Sequence, residues 1–435
     1  MLIRDFKAGV GSSEKWDARE AGREVAENTL EKLDGKKPNF FLLFSTIHYE
    51  KYGGFKEFLN GVWEVLPEGT PLIGGTVAGF ITPEDCFVHG AAGLAVSYPN
   101  MDVAVGVGYN TKRNPTKAGK ECGKQLTKRL QTSPYPNGIV YHLISASTIY
   151  NIPGMKRVLR FNNSLINRVF SLVAAYVADF SVFLFQRGLG NEDKIYESLL
   201  SELPKDYTVI GGDCIDDNKM CNNYQFIGKT VINNGIVALG IKTDLNVHIN
   251  TTYGLKETGK KINVTHFRSN NRIIHKINNK PAVPELVKVL DWGIWFFDDE
   301  TILRRTFFLP FGFEKNGILH PQVIGMVIGD DIGCGYRITK SELSLLSASG
   351  RSMLESIDEN LNEFKDKNNQ MALIFSCAAR LESLGFYVYY TKEKLQHFFK
   401  NIPFLLVYVG GEDTRSSEKG CRHVYESFNV STLYK

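Results

Sequence analysis

Apolar residues near the start of the chain recur in a fixed order. Residues 40–46 form a run with the length and composition of a buried strand. Over residues 55–66 the apolar positions then fall at i, i+3, i+4, i+7, i+8 and i+11, the spacing of one helix face. Pro67 ends that helix, and a second strand at 71–73 leads into two glycines at 74–75. The pattern predicts a strand–helix–strand unit that runs into a Gly-Gly pair.

The same order of elements returns twice along the chain. The second copy is predicted as a strand at 181–185, a helix over 195–203 and a strand at 208–210 before the glycines 211–212. The third is predicted as a strand at 372–377, a helix over 395–402 and a strand at 404–409 before the glycines 410–411. Three recurrences in one chain indicate a repeated structural unit.

The predicted fold class is α/β, with mixed β-sheets covered by helices and built from the three repeated units. Two strands joined by a helix are most simply parallel, with a right-handed crossover. The hairpin segments after each Gly-Gly pair would add antiparallel strands. A stretch of different character separates the second and third copies, and the boundary is predicted near 254–261. This gives a domain of residues 1–255 with two units and a domain of residues 256–435 with the third.

Composition and charge narrow the class of protein. The 435 residues carry a formal net charge of only +4, with no basic stripe, which disfavours nucleic-acid binding. Charged residues within residues 1–10 disfavour a signal peptide, and apolar runs such as 402–409 are too short to span a membrane. Seven cysteines without a CxxC pair favour reduced thiols. We therefore expect a cytoplasmic protein without membrane insertion.

The candidate ligand-binding residues follow from where sheets bind ligands. In open α/β sheets the ligand lies outside the carboxyl ends of the strands, so the residues just past each first strand and each Gly-Gly pair are the candidates. They are Ser45, Thr46, Gly74, Gly75 and Thr76 in the first copy, Gln186, Arg187, Gly211, Gly212 and Asp213 in the second, and Ser376, Cys377, Arg380, Gly410, Gly411 and Glu412 in the third.

The glycines have two interpretations. A glycine at a strand exit permits a positive φ, as a tight turn requires, or lets the backbone approach a neighbour or a ligand closely. The segment 74–79 does not match G-x-G-x-x-G and lacks the Lys-Ser/Thr of a phosphate-binding loop. The nine histidines form no HxH, HxxxH or HExxH motif. The sequence therefore predicts neither a nucleotide site, nor a metal site, nor a cofactor.

Arg380 and Glu412 are the most suggestive pair of candidates. A guanidinium group can hold a carboxylate with two hydrogen bonds, and a carboxylate can accept from an ammonium group, so together they could grip an amino acid. They could equally form a salt bridge with each other. Cys377 could be a nucleophile if Arg380 lowered its pKa, but no motif supplies a general base, and a buried cysteine is the alternative.

The order of motifs resembles the FIST family. The N-terminal part is similar to it through FLLFST at 41–46, PLIGGTVAG at 71–79, GNEDKIYESLLSELP at 190–204 and VIGGDCIDDN at 209–218. The C-terminal part is similar through KINNKPA at 276–282, IFSCAARLESLG at 374–385 and Gly-Gly-Glu at 410–412. The chain departs from the family where a Gly-Glu-Ile-Gly type of run would be expected, since it reads Gly411-Glu412-Asp413-Thr414.

The resemblance implies a sensory module for a small ligand such as an amino acid, with an N-terminal and a C-terminal FIST domain. We expect the signal to pass through a separate partner protein, because no attached signalling domain is visible. The leading hypothesis is a small-ligand-binding protein of signal transduction that is not an enzyme. An interaction scaffold without a ligand is the alternative, and an enzyme using Cys377 is a third.

Overall fold

The structure is a computed structural model that describes residues 3, 5–148, 158–161, 163–293, 305–315, 317–416 and 420–435. It is a mixed α/β fold, as the sequence predicts. Three six-stranded sheets carry the three units. A fourth sheet has nine strands, eight from an insertion in the third unit and one from an insertion in the second.

The first unit alternates strands and helices and closes with a hairpin and a last strand. Its elements are β1 (Lys7–Ser13), α1 (Ala18–Glu31), β2 (Phe40–Ser45), α2 (Phe55–Val65), β3 (Leu72–Thr76), β4 (Gly79–Ile81), β5 (Cys86–Phe87) and β6 (Ala91–Ser97). Helix α1 begins after Asp17, whose side chain accepts hydrogen bonds from the backbone of Arg19 and Glu20. The predicted strand–helix–strand segment is confirmed as β2, α2 and β3.

The second unit has the same order with one insertion. Its elements are β7 (Met101–Tyr109), α3 (Pro115–Leu130), β8 (Asn137–Ser145), the inserted β9 (Val158–Leu159) and α4 (Ser164–Phe185), then α5 (Glu192–Glu202), β10 (Thr208–Cys214), β11 (Gln225–Ile227), β12 (Thr230–Ile232) and β13 (Gly235–Thr243). The insertion separates β8 from α5. The first unit has no such insertion between the corresponding elements β2 and α2.

This insertion makes one sequence prediction wrong. Residues 181–185, predicted as the first strand of the second copy, are the last turns of helix α4. The first strand of that copy is β8, which pairs in parallel with β10. Gln186 and Arg187 therefore follow a helix, and Gln186 ends it with a left-handed φ of 52°. A run of four apolar residues after Ser181 suits a strand and an apolar helix equally, and the run alone could not distinguish them.

Helix α4 also corrects the expectation that no apolar segment is long enough to cross a membrane. It has 22 residues and the length and apolar content of a membrane span. One such helix is weak evidence for a membrane protein, since core helices of soluble proteins pass the same test. The sequence-based reading missed it because isolated polar residues, such as Asn167, Arg168 and Ser171, interrupt the apolar run.

The third unit supplies eight of the nine strands of the fourth sheet, inserted after its first strand, and β9 of the second unit adds the ninth. Its elements are β14 (Asn246–Thr252), the inserted β15 (Leu255–Arg268), β16 (Ile273–Ile277), β17 (Lys280–Pro281), α6 (Ala282–Leu290), β18 (Phe311–Lys315), β19 (Ile318–Gln322), β20 (Ile324–Ile328), β21 (Asp331–Cys334) and β22 (Glu342–Ala348), then α7 (Gly350–Asn362), β23 (Asn369–Cys377), α8 (Ala378–Leu384), α9 (Val388–Phe399), β24 (Phe404–Val409), β25 (Glu412–Ser416), β26 (Gly420–Val424) and β27 (Phe428–Tyr434).

The three six-stranded sheets have the same strand order and exchange hairpins. The orders are β1-β6-β2-β3-β11-β12, β7-β13-β8-β10-β25-β26 and β14-β27-β23-β24-β4-β5. In each sheet the two strands joined through a helix are parallel. The hairpin that follows each Gly-Gly pair leaves its own unit and pairs with the edge of another unit's sheet. The exchange is cyclic. Each unit adds its hairpin to the sheet of one neighbouring unit and receives a hairpin from the other.

One hydrophobic core joins the inner faces of these sheets. Phe44 of β2, Leu143 of β8 and Phe375 of β23 belong to a single buried cluster, and the rings of Phe44 and Phe375 are 6.4 Å apart. The helices cover the outer faces with separate clusters. The exchange of hairpins and the shared core bring the carboxyl ends of β8, β10, β23 and β24 into one region.

Candidate functional site

The Gly-Gly pairs allow the backbones to pack closely. A Cβ atom on Gly74 would lie 1.8 Å from the carbonyl oxygen of Leu43, and one on Gly75 would lie 2.3 Å from Cys214 Sγ. On Gly211 it would lie 2.2 Å from the carbonyl oxygen of His142, and on Gly212 2.6 Å from that of Gly411. None of the six glycines in the three pairs has a positive φ. Of the two interpretations, close approach applies and the positive-φ turn does not.

The candidates of the first unit hold the first and second units together. The backbone N–H of Ile215 donates to the carbonyl of Thr76 at 3.0 Å, and the hydroxyl of Thr76 accepts from the N–H of Tyr224 at 3.1 Å. Ser45 is buried beside them, and Thr46 bonds to the His48 ring at 2.6 Å. These side chains lie away from the cavity described next.

A cavity of about 60 Å³ lies where the second and third units meet the inserted sheet. Three of the predicted residues, Asp213, Cys377 and Gly410, line it. Ser147 and Tyr425 add polar groups, and the inserted sheet and its flanks supply an apolar wall of Phe307, Val323 and Ile324. The strand-end rule, that ligands bind at the carboxyl ends of the strands, therefore predicted residues from two units that line one cavity.

Asp213 is the most unusual group in this cavity. Its side chain is buried, and its Oδ1 atom has no hydrogen-bond partner among the residues that the structure describes. Burial, together with the nearby carboxyl groups of Glu192 and Asp413, raises the pKa of Asp213 well above its ordinary value, although His423 opposes this. A buried carboxyl group with an unused oxygen at a cavity wall is a group that a bound donor would satisfy.

A network of buried charges lies behind Asp213. Lys112 donates to the carbonyl of Ala146 at 2.5 Å, and its Nζ lies 3.7 Å from Glu192 Oε1. Arg272 bridges Glu192 at 3.4 Å and Asp193 at 2.5 Å. Burial lowers the pKa of Lys112, although the neighbouring carboxylates oppose this. The two cations balance the two carboxylates, so Asp213 has no cation of its own in direct contact within the described residues.

A second row of titratable groups joins the same two units. Asp413 Oδ2 lies 2.9 Å from His142 Nε2, and its Oδ1 lies 2.6 Å from His423 Nδ1. Burial opposes protonation of His423, but the charge and hydrogen bond of Asp413 outweigh it and raise the pKa of His423 to about 10. Burial would raise the pKa of Asp413, yet the two histidines hold it below its ordinary value. His423 and Asp413 are therefore an ion pair at neutral pH.

Arg380 and Glu412 are both buried but do not bind each other. Arg380 donates to the carbonyls of Tyr253 at 2.6 Å and Met353 at 2.9 Å, and to the hydroxyl of Ser356 at 3.2 Å. Glu412 Oε2 accepts from the backbone and the hydroxyl of Ser427 at 3.1 and 2.7 Å. Within the described residues, no ion pair joins Arg380 to Glu412. The geometry makes Arg380 a tie between the segment after β14 and helix α7.

Comparison with known proteins decides the family. The FIST N domain profile matches residues 39–280, more than half of the chain. The chain belongs to the FIST family. FIST domains are generally sensory, ligand-binding domains of signalling proteins. The match ends before the third unit's helices, so the C-terminal FIST domain stays a prediction.

Comparisons with curated proteins and with solved structures give no further indication of what this FIST-family chain does. No curated protein matches it. Among solved structures it aligns with one titled "Structure of PurLQS from Thermotoga maritima", at 11% sequence identity and a TM-score of 0.19, over 99% of this chain and 72% of that one. A likeness at this level bears on neither fold nor function.

Cys377 lies in the cavity of this FIST-family chain as a buried thiol. Burial and the neighbouring carboxyl groups of Glu412 and Glu426 raise its pKa well above the ordinary value. The nucleophilic form of cysteine is the thiolate, which this environment disfavours. The geometry favours the buried-cysteine alternative over the nucleophile.

Sequence reasoning missed most of the charged network. Glu192 and Asp193 start α5, Lys112 lies in the turn between β7 and α3, and Arg272 lies in the turn between β15 and β16. The fold brings them to the strand ends from distant parts of the chain. The motif GNEDKIYESLLSELP could have pointed to Glu192 and Asp193. In it, two adjacent acidic residues precede the apolar positions of a helix face.

Proposed function

We propose that this FIST-family protein is a cytoplasmic sensor for a small polar metabolite with an ammonium group, such as an amino acid, bound at the Asp213 cavity. The observation that carries the proposal is the unpartnered Oδ1 of Asp213 in a buried cavity between two units. An ammonium group would donate to that oxygen and favour the ionised carboxylate, so ligand binding and proton release would be coupled.

The polar neighbours support a cationic rather than an anionic ligand end. Lys112 and Arg272 are already engaged by Glu192 and Asp193, so neither offers an uncompensated charge to a carboxylate. Ser147 and Tyr425 line the same cavity and can orient a ligand by hydrogen bonding. The apolar wall of Phe307, Val323 and Ile324 would contact the ligand's hydrocarbon part.

The size of the cavity gives the sensor a mechanism. Its volume of about 60 Å³ lies well below the roughly 300–1,000 Å³ of pockets that bind drug-sized ligands. We therefore expect the apolar wall to move away from the second and third units when a whole amino acid binds. We infer that this movement of the inserted sheet is the conformational change that a separate signalling partner detects.

Binding should be tested by calorimetry and by thermal shift with free amino acids, simple alkyl amines and the matching carboxylic acids. Amines and amino acids are expected to stabilise the protein, and the carboxylic acids are not. Asp213→Asn should remove the response, whereas Asp217→Asn, at an exposed carboxylate nearby, should keep it. Equal responses of the two variants, or stabilisation by the acids alone, would refute this site.

A further inference from the structure

Helix α4 places its apolar residues toward solvent. Leu165, Val169, Val173, Tyr176 and Phe180 are between 53% and 71% exposed. Their spacing of three or four residues puts them on one face of the helix. In the most apolar 18-residue window of α4 only 19% is buried inside the protein. This is the reverse of the usual amphipathic helix of a soluble domain, whose apolar face contacts the core.

The polar side of α4 holds it to the protein body. Ser171 donates to the carbonyl of Ile328 at 2.9 Å and accepts from the backbone N–H of Asp330 at 3.0 Å. Asn167 and Ser171 are buried, and a Cβ atom on Gly329 would lie 2.4 Å from the carbonyl oxygen of Asn167. The helix is therefore packed against β20 through its polar side, and its orientation fixes which face is exposed.

The structure corrects the expectation of no basic stripe, because a row of four lysines continues from the end of this apolar face. Lys117, Lys120, Lys124 and Lys128 follow each other on the exposed side of α3, and Glu121 among them pairs with Lys117 at 3.7 Å. The stripe is joined to α4 by Arg113, which donates to the carbonyls of Phe183 at 2.9 Å and Leu184 at 3.1 Å. The Arg113 guanidinium also lies 5.7 Å from the centre of the Phe183 ring. Arg113 thus connects the end of the exposed apolar helix to the row of lysines on α3.

We propose that this surface, the exposed face of α4 with the lysine stripe of α3, docks onto the headgroup region of an anionic lipid bilayer. Apolar helix faces enter the headgroup and acyl boundary to a depth of about 5–10 Å, and lysines near the surface interact with anionic lipids. The hydrogen bonds of Ser171 keep the opposite side of α4 on the protein, so the helix lies along the bilayer surface instead of spanning it.

Charge complementarity selects the bilayer over a second copy of the chain. A second copy would cover the apolar face, but its own lysine stripe would offer no counter-charge to Lys117, Lys120 and Lys124. An anionic membrane satisfies both parts of the surface. Helix α4 is inserted in the second unit and has no counterpart among the described residues of the other two units, which is consistent with a role apart from the three repeated units.

The test is flotation of the full chain with vesicles of phosphatidylcholine alone and with vesicles that also contain phosphatidylserine. The unaltered protein is expected to float with the phosphatidylserine vesicles. Val173→Asp combined with Phe180→Asp should lower that binding at least about tenfold, because two charges would enter the apolar boundary. Lys117→Glu with Lys120→Glu and Lys124→Glu should lower it similarly and remove the preference for phosphatidylserine.

The matched control is Phe386→Asp, at an aromatic residue that is 78% exposed outside this surface. It should bind vesicles as the unaltered protein does, and circular dichroism should show that every variant is folded. Failure of the unaltered protein to float, or equal binding by the Val173→Asp/Phe180→Asp variant, would overturn the proposal. A dimer in solution that this variant dissociates, without any vesicle binding, would assign the face to a second copy and overturn it too.

Discussion

Asp213 and Gly411 join the second and third units through their main chains. The N–H of Asp213 donates to the carbonyl of Gly411 at 2.9 Å, and the N–H of Gly410 donates back to the carbonyl of Asp213 at 2.9 Å. The residue proposed to bind the ligand is thus fixed to the strand exit of the neighbouring unit. A change in the separation of the two units must therefore move Asp213. The position of the proposed ligand-binding residue depends on how the repeated units pack.

The close packing at the Gly-Gly pairs predicts a large effect of one methyl group. In Gly211→Ala the new Cβ would lie 2.2 Å from the His142 carbonyl oxygen and 2.5 Å from its ring, so the strands must separate. We expect the free energy of unfolding to fall by about 2 kcal/mol. Urea denaturation measures it.

The control for this prediction is Gly350→Ala, at the start of α7, where a Cβ would meet nothing within 4 Å. It should change the free energy of unfolding by less than about 1 kcal/mol, and in the stabilising direction. A Gly211→Ala variant as stable as Gly350→Ala would show that the strand exits can separate without cost.

The His423–Asp413 ion pair predicts how stability depends on pH. The pKa of His423 is raised from 6.5 to about 10 in the folded state, so its contribution is complete below pH 6.5 and is lost as the pH rises to about 10. The pKa of Asp413 is lowered, so its contribution is present above its ordinary 3.8 and is lost on acidification. Denaturation at a series of pH values should show stability falling between pH 6.5 and 10.

His423→Gln removes the titrating ring from that pair. The loss of stability on the alkaline side should be smaller in this variant than in the unaltered protein by roughly 2 kcal/mol. His397→Gln, at a histidine near the end of α9, should leave the alkaline profile as it is. Parallel alkaline profiles for the unaltered protein and His423→Gln would contradict the assigned ion pair.

Much of the frame could be predicted from local patterns. Helices α2, α5 and α9 and the parallel strands around α2 follow from apolar spacing and a closing proline or glycine, which are properties of neighbouring residues. Strand β8 was not identified, because the insertion of residues 146–191 displaced it from the helix that it precedes in the other units. The hairpin exchange could not be predicted either, because the residues of a strand such as β4 do not indicate which sheet the strand joins.

The candidate site was predictable only in part, for a related reason. The strand-end rule found Asp213, Cys377 and Gly410 at one cavity, because the end of a strand is defined within a few residues of sequence. Lys112 and Arg272, which set the charge balance, are 160 residues apart in sequence, as their numbers show, and meet Glu192 only in the folded chain. Arg380 and Glu412 follow strand ends of one unit, yet their hydrogen bonds run to different segments.

Glu426 predicts a stabilising substitution. Its side chain is buried, neither carboxyl oxygen has a hydrogen-bond partner within the described part of the chain, and its φ is +59°. Burial raises its pKa from 4.5 to about 8, so folding disfavours the ionised form and stability falls as the pH rises from 4.5 to 8. Glu426→Gln removes this charge, and its gain in unfolding free energy should grow to about 2 kcal/mol or more by pH 8. A gain that does not depend on pH would contradict the assigned titration.

Arg380 predicts the reverse effect, because its guanidinium group makes three hydrogen bonds within the protein. Arg380→Lys keeps the charge but cannot donate to Tyr253, Met353 and Ser356 together, and it leaves buried carbonyls without donors. The free energy of unfolding should fall by roughly 3 kcal/mol. Arg351→Lys, at an arginine whose side chain is 88% exposed on the same helix as Met353, should change it by less than about 0.5 kcal/mol. If Arg380→Lys kept full stability and instead lost the thermal response to amines, Arg380 would be a ligand contact, and the binding site would extend beyond Asp213.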